Sequence, residues 1–265
     1  MQEPLISLIV AVYKNTEALR LIFSSLEQQS VKNFEVIVAE DNNSPEMAAL
    51  IAIQQQKGVF SLKHVSQEDI GFRKNKILNA AIRKSSGTYC TFIDGDCIPH
   101  KHFLKNISKH AQENVVLAGR RVMLSEKMSE KLYREQGFRG SISCLRLILE
   151  GCKHVEKGLY LPFMPAFSRK TKLVIGCNMT ISKNNLIAIN GFDEIYTRPS
   201  VGEDVDIAWR LRMFGCDIKF MKYQGIVYHL YHSQNYNKED SAYNIKLFYE
   251  KQNDNNWKNH KDGLA

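Results

Sequence analysis

The chain has 265 residues, enough for one large domain or two small ones, and its 44% apolar content supplies a full core. A net charge of +8 points toward anionic partners: nucleotides, nucleic acid or an acidic membrane surface. No apolar run has the length of a membrane-spanning helix, Met1-Gln2-Glu3-Pro4 lacks the basic head of a signal peptide, and the six cysteines form no CxxC pair, which argues against zinc and a disulfide framework and for a reducing cytoplasm.

Leu5–Val12 is a continuous apolar run, the mark of a strand buried on both faces. Asn15 or Thr16 is placed to cap a helix carrying Leu19, Ile22, Phe23 and Leu26 and ending near Ser30. Phe34–Ala39 is a second buried strand and runs into Glu40-Asp41. Met47–Gln56 is expected to be helical and Val59–Val65 a third strand. Asp69–Arg73 is a loop. Lys74–Lys84 is a helix with Ile77, Leu78, Ala81 and Ile82 on one face.

Tyr89–Ile93 is a further strand, and it ends in Asp94-Gly95-Asp96, with Pro99 stopping any continuation. Two readings stand for that tip. Asp-Gly is a common solvated turn. Two carboxylates at the C-terminal end of a buried strand also suit Mg²⁺ or Mn²⁺ held together with substrate phosphates. A helix near His102–Gln112 and a strand near Val115–Ala118 follow. Alternating buried strands and helices predict an α/β fold, a mostly parallel sheet flanked by helices. Strands in such a sheet finish on one edge, so Tyr13, Glu40-Asp41 and Asp94–Asp96 are expected to converge.

After Arg121 the pattern changes. Ser125–Lys172 mixes Lys and Arg with Tyr133, Phe138, Leu145, Ile148, Leu149, Phe163, Met164 and Phe167. It reads as a lid, an acceptor-binding insertion or a surface for acidic lipid, and a plain helical subdomain with a solvated basic face is favoured over the membrane role. A helix is expected near Lys183–Ile189. Gly202-Glu203-Asp204 opens another, with Ile207, Ala208, Leu211 and Phe214 on one face and Gly215 as its stop. Acids at a helix start complement its dipole, by about 0.3–1 kcal/mol each. Asp206 is placed to pair with Arg210, by about 0.2–0.5 kcal/mol. Neither effect explains the crowding of acids at 203–206. A positioned carboxylate acting as a general base toward a sugar hydroxyl does. Ile218–Met221 and Ile226–Tyr231 are expected strands, the second carrying His229.

Taken in order, Val10–Tyr13, Glu40-Asp41, Gly71-Phe72-Arg73, Asp94–Pro99, Gly176–Met179, Gly191–Glu194 and Gly202–Asp204 make the chain resemble glycosyltransferase family 2 over about residues 5–232. Its C-terminal half is similar to the β-1,4-galactosyltransferases and the chondroitin-polymerase type enzymes. The resemblance implies a GT-A fold: a nucleotide-sugar-binding Rossmann-like half (1–122), a basic insertion or lid (123–172), an acceptor and catalytic half (173–252) and a polar tail (253–265). It implies a UDP-sugar bound by Val12, Tyr13, Asp41, Arg73, Lys76, Asp94 and Gly95. Mn²⁺ or Mg²⁺ would be held by Asp96 and His229. Asp204 would be the catalytic base, with Glu203 and Asn178 binding the acceptor; Trp209 is expected to pack rather than bind sugar. The sequence departs from the family at Leu78, where arginine is usual, at Ala11 in place of proline, and at Glu40 in place of aspartate.

The implied reaction is an inverting, metal-dependent transfer of a hexose from a UDP-sugar to a hydroxyl of an acceptor glycan. Galactose is favoured, with N-acetylgalactosamine and glucuronic acid open. Bacterial surface polysaccharide synthesis is the expected setting, with cytoplasmic location and contact at the inner face of the plasma membrane as a further option. Two rivals stand beside it. A strand-borne Asp-x-Asp also opens haloacid-dehalogenase-like phosphatases, although Cys97-Ile98-Pro99 follows here. A non-catalytic basic nucleotide- or nucleic-acid-binding module fits the charge, but no nucleic-acid motif accompanies it.

Overall fold

The computed structural model of the protein describes residues 5–165, 167–170, 174–233, 237–254 and 262–264. The N-terminal tetrapeptide, most of the polar tail and the side chain of Phe167 lie outside the described residues.

The first half alternates as expected: β1 (Ile6–Val12), α1 (Thr16–Glu27), β2 (Phe34–Glu40), α2 (Pro45–Gln56), β3 (Ser61–Ser66), α3 (Lys74–Lys84) and β4 (Tyr89–Asp94). Local chemistry fixes the helix starts. Asn15 accepts from the N–H of Ala18, and Ser44 accepts from that of Met47 with Pro45 at the first helical position. Both β1 and β2 are buried along almost their whole length because helices cover both faces of the sheet. α1 ends three residues before the expected Ser30.

The chain then does something its periodicity did not announce. Directly after the aspartate tip the chain resumes as a strand, β5 (Cys97–Pro99), followed by α4 (Phe103–His110), β6 (Val115–Ala118) and β7 (Arg120–Met123). Segment 123–172 forms α5 (Glu126–Glu135), α6 (Cys144–Leu149), a 3-10 turn at Val155–Gly158 and β8 (Phe167–Lys170). On α6, Leu147 is buried while Leu145, Ile148 and Leu149 are exposed. The remaining elements are β9 (Met179–Ser182), α7 (Lys183–Ala188), α8 (Glu203–Met213), β10 (Asp217–Met221), β11 (Ile226–His229) and α9 (Lys238–Asn253). Phe214 does not share the buried face of Ile207, Ala208 and Leu211; it is exposed, one residue beyond the end of α8.

The main sheet has eight strands in the order β3-β2-β1-β4-β9-β6-β10-β8. The β3-β2-β1-β4 block is parallel, whereas β9 runs antiparallel to both β4 and β6. A second sheet has three strands in the order β5-β11-β7. Each of its strands continues a strand of the main sheet after a kink: β4 into β5 past Gly95, β6 into β7 at Gly119, and β10 into β11 through Lys222–Gly225. The core lies on both faces of the main sheet, with Phe92 of β4 packed edge-on against Phe192 at 5.3 Å.

Asn178 holds two of the kinks together. It is 1% exposed, and its amide donates to Arg120 O and Gly225 O, each at 3.0 Å. Its backbone carbonyl accepts from Gly119 N at 2.9 Å. A Cβ added at Gly119 would lie 2.1 Å from the Asn178 carboxamide carbon. This corrects the expectation that Asn178 binds acceptor: both of its donors are committed to backbone carbonyls in the interior. Gly119→Ala is expected to lower stability by about 1–3 kcal/mol through overpacking. Asn178→Ala is expected to lower it by a similar amount, because it strands two buried carbonyls. Urea denaturation measures both, and unchanged midpoints would show that the clasp is dispensable.

Candidate active site

Parallel pairing brings the expected strand ends to one edge. Val12 lies opposite Glu40 and Ala11 opposite Asp94 in the ladders. Glu40 is buried and occupied by Ser44 N and His64 Nε2, so it builds the edge rather than facing it. Asp41, next along, accepts from Gln67 Nε2 at 2.5 Å and from Arg73 N at 2.8 Å. The Arg73 guanidinium turns back to the carbonyl of Glu68. Tyr13 is half exposed; its hydroxyl donates to Asp69 at 3.3 Å, and Lys14 pairs with the same carboxylate at 2.7 Å. Gly95 permits the turn to press on β1, since a Cβ there would sit 2.8 Å from Val12 Cγ1 and 2.9 Å from Ala11 O.

The cation at the centre is Lys74. Its Nζ lies 2.7 Å from Asp94 Oδ1 and 3.5 Å from Glu203 Oε1, so the tip of β4 and the start of α8 open on one cleft. Gly176 borders the same space: a Cβ there would be 3.5 Å from both Glu203 Oε1 and Lys74 Nζ. Lys76, expected beside Arg73 as a donor-binding cation, is exposed on the other side of α3. Helical spacing carried the signal, because Lys74 stands four residues before buried Leu78 and seven before buried Ala81. Burial opposes charge on Lys74, yet Asp94 and Glu203 outweigh it and raise its pKa.

Glu203 and Asp204 begin α8 without a side-chain cap at Gly202. Burial pushes Glu203 up to about 7, with Lys74 opposing and Asp204 adding to the rise. Asp204 is also raised by burial, against Lys74 and the backbone N–H groups of Val205, Gly176 and Gly202, and its Oδ1 has no hydrogen-bond partner. The third acid, Asp206, is structural. Its Oδ2 accepts from Arg210 Nε at 2.6 Å, and Arg210 Nη1 donates to Ile189 O and Gly191 O at 2.8 and 2.7 Å. The Gly191–Glu194 motif is likewise structural: Asn79 donates to Phe192 O at 2.8 Å and accepts from Phe192 N at 2.9 Å. Trp209 packs, as expected, edge-on against Phe248 at 5.9 Å.

The second sheet builds the cation end. Antiparallel pairing sets His229 opposite Cys97, and Leu230 N donates to Asp96 O at 2.9 Å. Asp96 thus presents Oδ1 to His229 Nε2 at 3.7 Å and Oδ2 to His232 Nε2 at 3.2 Å. Asp96, Cys97 and His229 offer ligand atoms within 4.8 Å of one another. Burial works to raise Asp96, but the His232 hydrogen bond and the two imidazoles hold it below the usual carboxylate range. The same bond raises His232 to about 9, while burial lowers His229, whose Nδ1 has no partner. A carboxylate facing two imidazoles, with a buried orphan ring nitrogen, fits a divalent transition cation. His232 and Cys97 were not among the expected ligands; His232 lies three residues beyond His229, past the end of β11, and the absence of CxxC had argued against zinc. Arg121 lies nearby, donating to Cys177 Sγ at 3.5 Å.

The structure therefore gathers Val12, Tyr13, Asp41, Arg73, Asp94, Gly95, Asp96, Glu203, Asp204 and His229 on one edge, and leaves out Lys76 and Asn178. No described helix is long and apolar enough to cross a membrane.

Residues 7–185 match the family model described as glycosyl transferase family 2, and residues 164–233 match that of the N-terminal domain of galactosyltransferase. The chain is 30% identical over 119 residues to glycosyltransferase AglE of Haloferax volcanii, a match covering 44% of this chain and 38% of AglE. It thus spans well under half the length of the curated relatives it matches. The fold is shared with the mannosyltransferase PcManGT from Pyrobaculum calidifontis, solved with GDP-Man and Mn²⁺ (TM-score 0.63, 15% identity, 96% of this chain and 65% of that one). It is shared also with S. aureus TarS 1-349 in complex with UDP (TM-score 0.59, 16% identity, 92% and 64%). These neighbours share the α/β GT-A architecture, and neither they nor the family models support the phosphatase or nucleic-acid reading.

The raised pKa of Glu203 has a sign that can be tested. The folded state holds a proton that the unfolded chain has lost between about 4.5 and 7, so wild-type stability declines as pH rises through that window. Glu203→Gln is expected to lack this decline and to gain about 1–3 kcal/mol on wild type between pH 4.5 and 8, followed by urea midpoints at each pH.

Proposed function

The chain belongs to glycosyltransferase family 2, and we propose that it transfers a hexose from a UDP-sugar to a hydroxyl of an acceptor glycan, with inversion at the anomeric carbon. The observation that carries this reading is Lys74, which joins Asp94 at the donor edge to Glu203 at the start of α8. A donor site and a pair of proton-accepting acids thereby share one cleft.

Val12, Tyr13 and Asp41 would line the uracil, and Arg73 would close the loop over it. Asp94 would face the ribose. Lys74 is the cation we assign to the departing diphosphate, in place of the arginine that Leu78 replaces. Asp96, His229 and His232 would hold a divalent metal, Mn²⁺ or Mg²⁺. When bound, such an ion supplies Lewis-acid stabilisation of negative charge on the leaving group. The Mn²⁺ and GDP-Man of the Pyrobaculum mannosyltransferase and the UDP of TarS support a nucleotide donor with a divalent cation.

Asp204 is the general base. Its raised pKa and unpartnered Oδ1 suit a carboxylate that must take a proton from a neutral hydroxyl. Glu203 would accept a hydrogen bond from the acceptor sugar, and the cleft would hold donor and acceptor in line. The match of residues 164–233 to a galactosyltransferase domain favours galactose as the transferred sugar. The setting we propose is bacterial surface polysaccharide assembly, with a growing glycan or its lipid-linked precursor as acceptor.

A screen of UDP-, GDP- and TDP-sugars for Mn²⁺-dependent hydrolysis and thermal stabilisation tests the donor, and UDP-galactose is expected to lead it. Asp204→Asn is expected to cut transfer by about 10²- to 10⁴-fold while UDP affinity is kept. Wild-type turnover in that variant would remove the assignment.

A further inference from the structure

Arg121 is a cation of the cleft with no anion of its own. It stands on β7, whose parallel register with β11 sets Arg121 opposite Val227 and Met123 opposite His229. On the other side of β11, β5 sets Cys97 opposite His229. Residues directly opposite share a face of a sheet, as do residues two apart on one strand. Arg121, His229 and Cys97 therefore lie on one face of the second sheet. From there the guanidinium reaches the turn at 176–178, where its Nη1 meets Cys177 Sγ at 3.5 Å. Gly176, the residue before, borders Lys74. Two cations thus meet consecutive residues of one turn, and the carboxylate of Asp94 favours the charge on both.

A guanidinium offers five N–H groups in a flat fork. Among the described residues the side chain of Arg121 makes one bond, to a thiol, which is a weak acceptor, and no carboxylate comes within ion-pair distance of it. The residue is partly exposed, and none of its nitrogens is both buried and unpartnered, so the remaining N–H groups open onto accessible surface. Burial opposes the charge, and the same charge opposes protonation of His229 and His232. A half-buried cation without a counter-anion is costly. A fork of donors left open at the edge of a cleft matches a planar or tetrahedral anion that arrives with a ligand.

We propose that Arg121 is a second donor-binding cation, which grips the diphosphate of the sugar nucleotide alongside Lys74. The proposal rests on the reading of the cleft as a nucleotide-sugar site. Position selects the anion. Arg121 acts on Asp94 at the donor edge and on both imidazoles of the cation end, which places its fork at the junction of the two. A diphosphate shared with a divalent ion belongs at that junction. A carboxylate or phosphate on the acceptor would instead approach Asp204, at the start of α8. The two cations also differ in kind. Lys74 is a point charge, whereas the fork of Arg121 takes two phosphate oxygens at once and so fixes their orientation. Both are aimed where negative charge builds on the leaving group, so their attraction strengthens as the sugar departs.

The test compares a nucleoside diphosphate with its nucleoside on the full chain in the presence of Mn²⁺, UDP and GDP by calorimetry, uridine and guanosine by ligand-observed NMR. Arg121→Gln is expected to weaken UDP by about tenfold or more, the loss of one charge-assisted pair, and to leave uridine at its wild-type affinity. Arg121→Lys, which keeps the charge and loses the fork, is expected to fall between the two, and it carries the test alone if the glutamine variant does not fold. Mn²⁺ affinity without nucleotide, followed by electron paramagnetic resonance, is expected to hold or tighten in Arg121→Gln, because a positive neighbour of the imidazoles is gone. Unchanged UDP affinity overturns the proposal. So does an equal loss of UDP and uridine, or a fall in Mn²⁺ affinity, since each marks a residue that only supports the fold of the site. If wild type binds GDP in place of UDP, the uridine reading fails and Arg121 is judged on GDP against guanosine. If wild type binds neither, the donor reading and the role of Arg121 fall together.

Discussion

The site depends on a change of partner made by three strands. At Gly95, at Gly119 and between Lys222 and Gly225 the chain leaves the main sheet and pairs again in the smaller one. Backbone register in that smaller sheet leaves little freedom. With Cys97 opposite His229, and Leu230 donating to the carbonyl of Asp96, the aspartate is delivered between two imidazoles. A slip of one residue in this pairing would turn every side chain to the opposite face. Asn178 guards against it by tying the β6–β7 and β10–β11 kinks to one amide. A buried residue away from the cleft thus sets the position of the side chains at its edge.

Electrostatics then divides the carboxylates into two groups. Asp96 is held ionised by the imidazoles despite its burial. Glu203 and Asp204 are driven the other way by the same low-dielectric surroundings, because Lys74 sits closer to Asp94 than to Glu203. Acids whose environments push their pKa values apart are suited to different tasks. In the proposed reaction the first would be matched to a cation and the other pair to proton transfer. Lys74 makes this possible, since without a buried cation three acids in one cleft would not all be tolerated.

α9 adds a wall that the motifs did not foretell. A buried network of Asp193, Asp206, Arg210 and Lys251 holds it against α8. The helix that carries Glu203 and Asp204 therefore also lines an apolar cup beside it.

Much of this was legible in the residues. Continuous apolar runs named β1, β2 and β4, capping chemistry at Asn15 or Thr16 placed the start of α1, and a parallel sheet by its nature sends strand ends to one edge. That was enough to bring Tyr13, Asp41 and Asp94 together and to set Glu203 and Asp204 at a helix start. Short strands such as β5, β7 and β9 carry too little periodicity to be read, since three or four residues cannot separate a strand from a loop. The kinked second sheet escaped notice for that reason, and with it the interior role of Asn178 and the contact of His232 with Asp96. The choice of Lys74 over Lys76 turned on which face of α3 meets the cleft. The sequence by itself determined the local elements and their chemistry, because those follow from neighbours along the chain. Only the tertiary structure decided which distant side chains meet, because pairing register and desolvation are set by groups a hundred or more residues away.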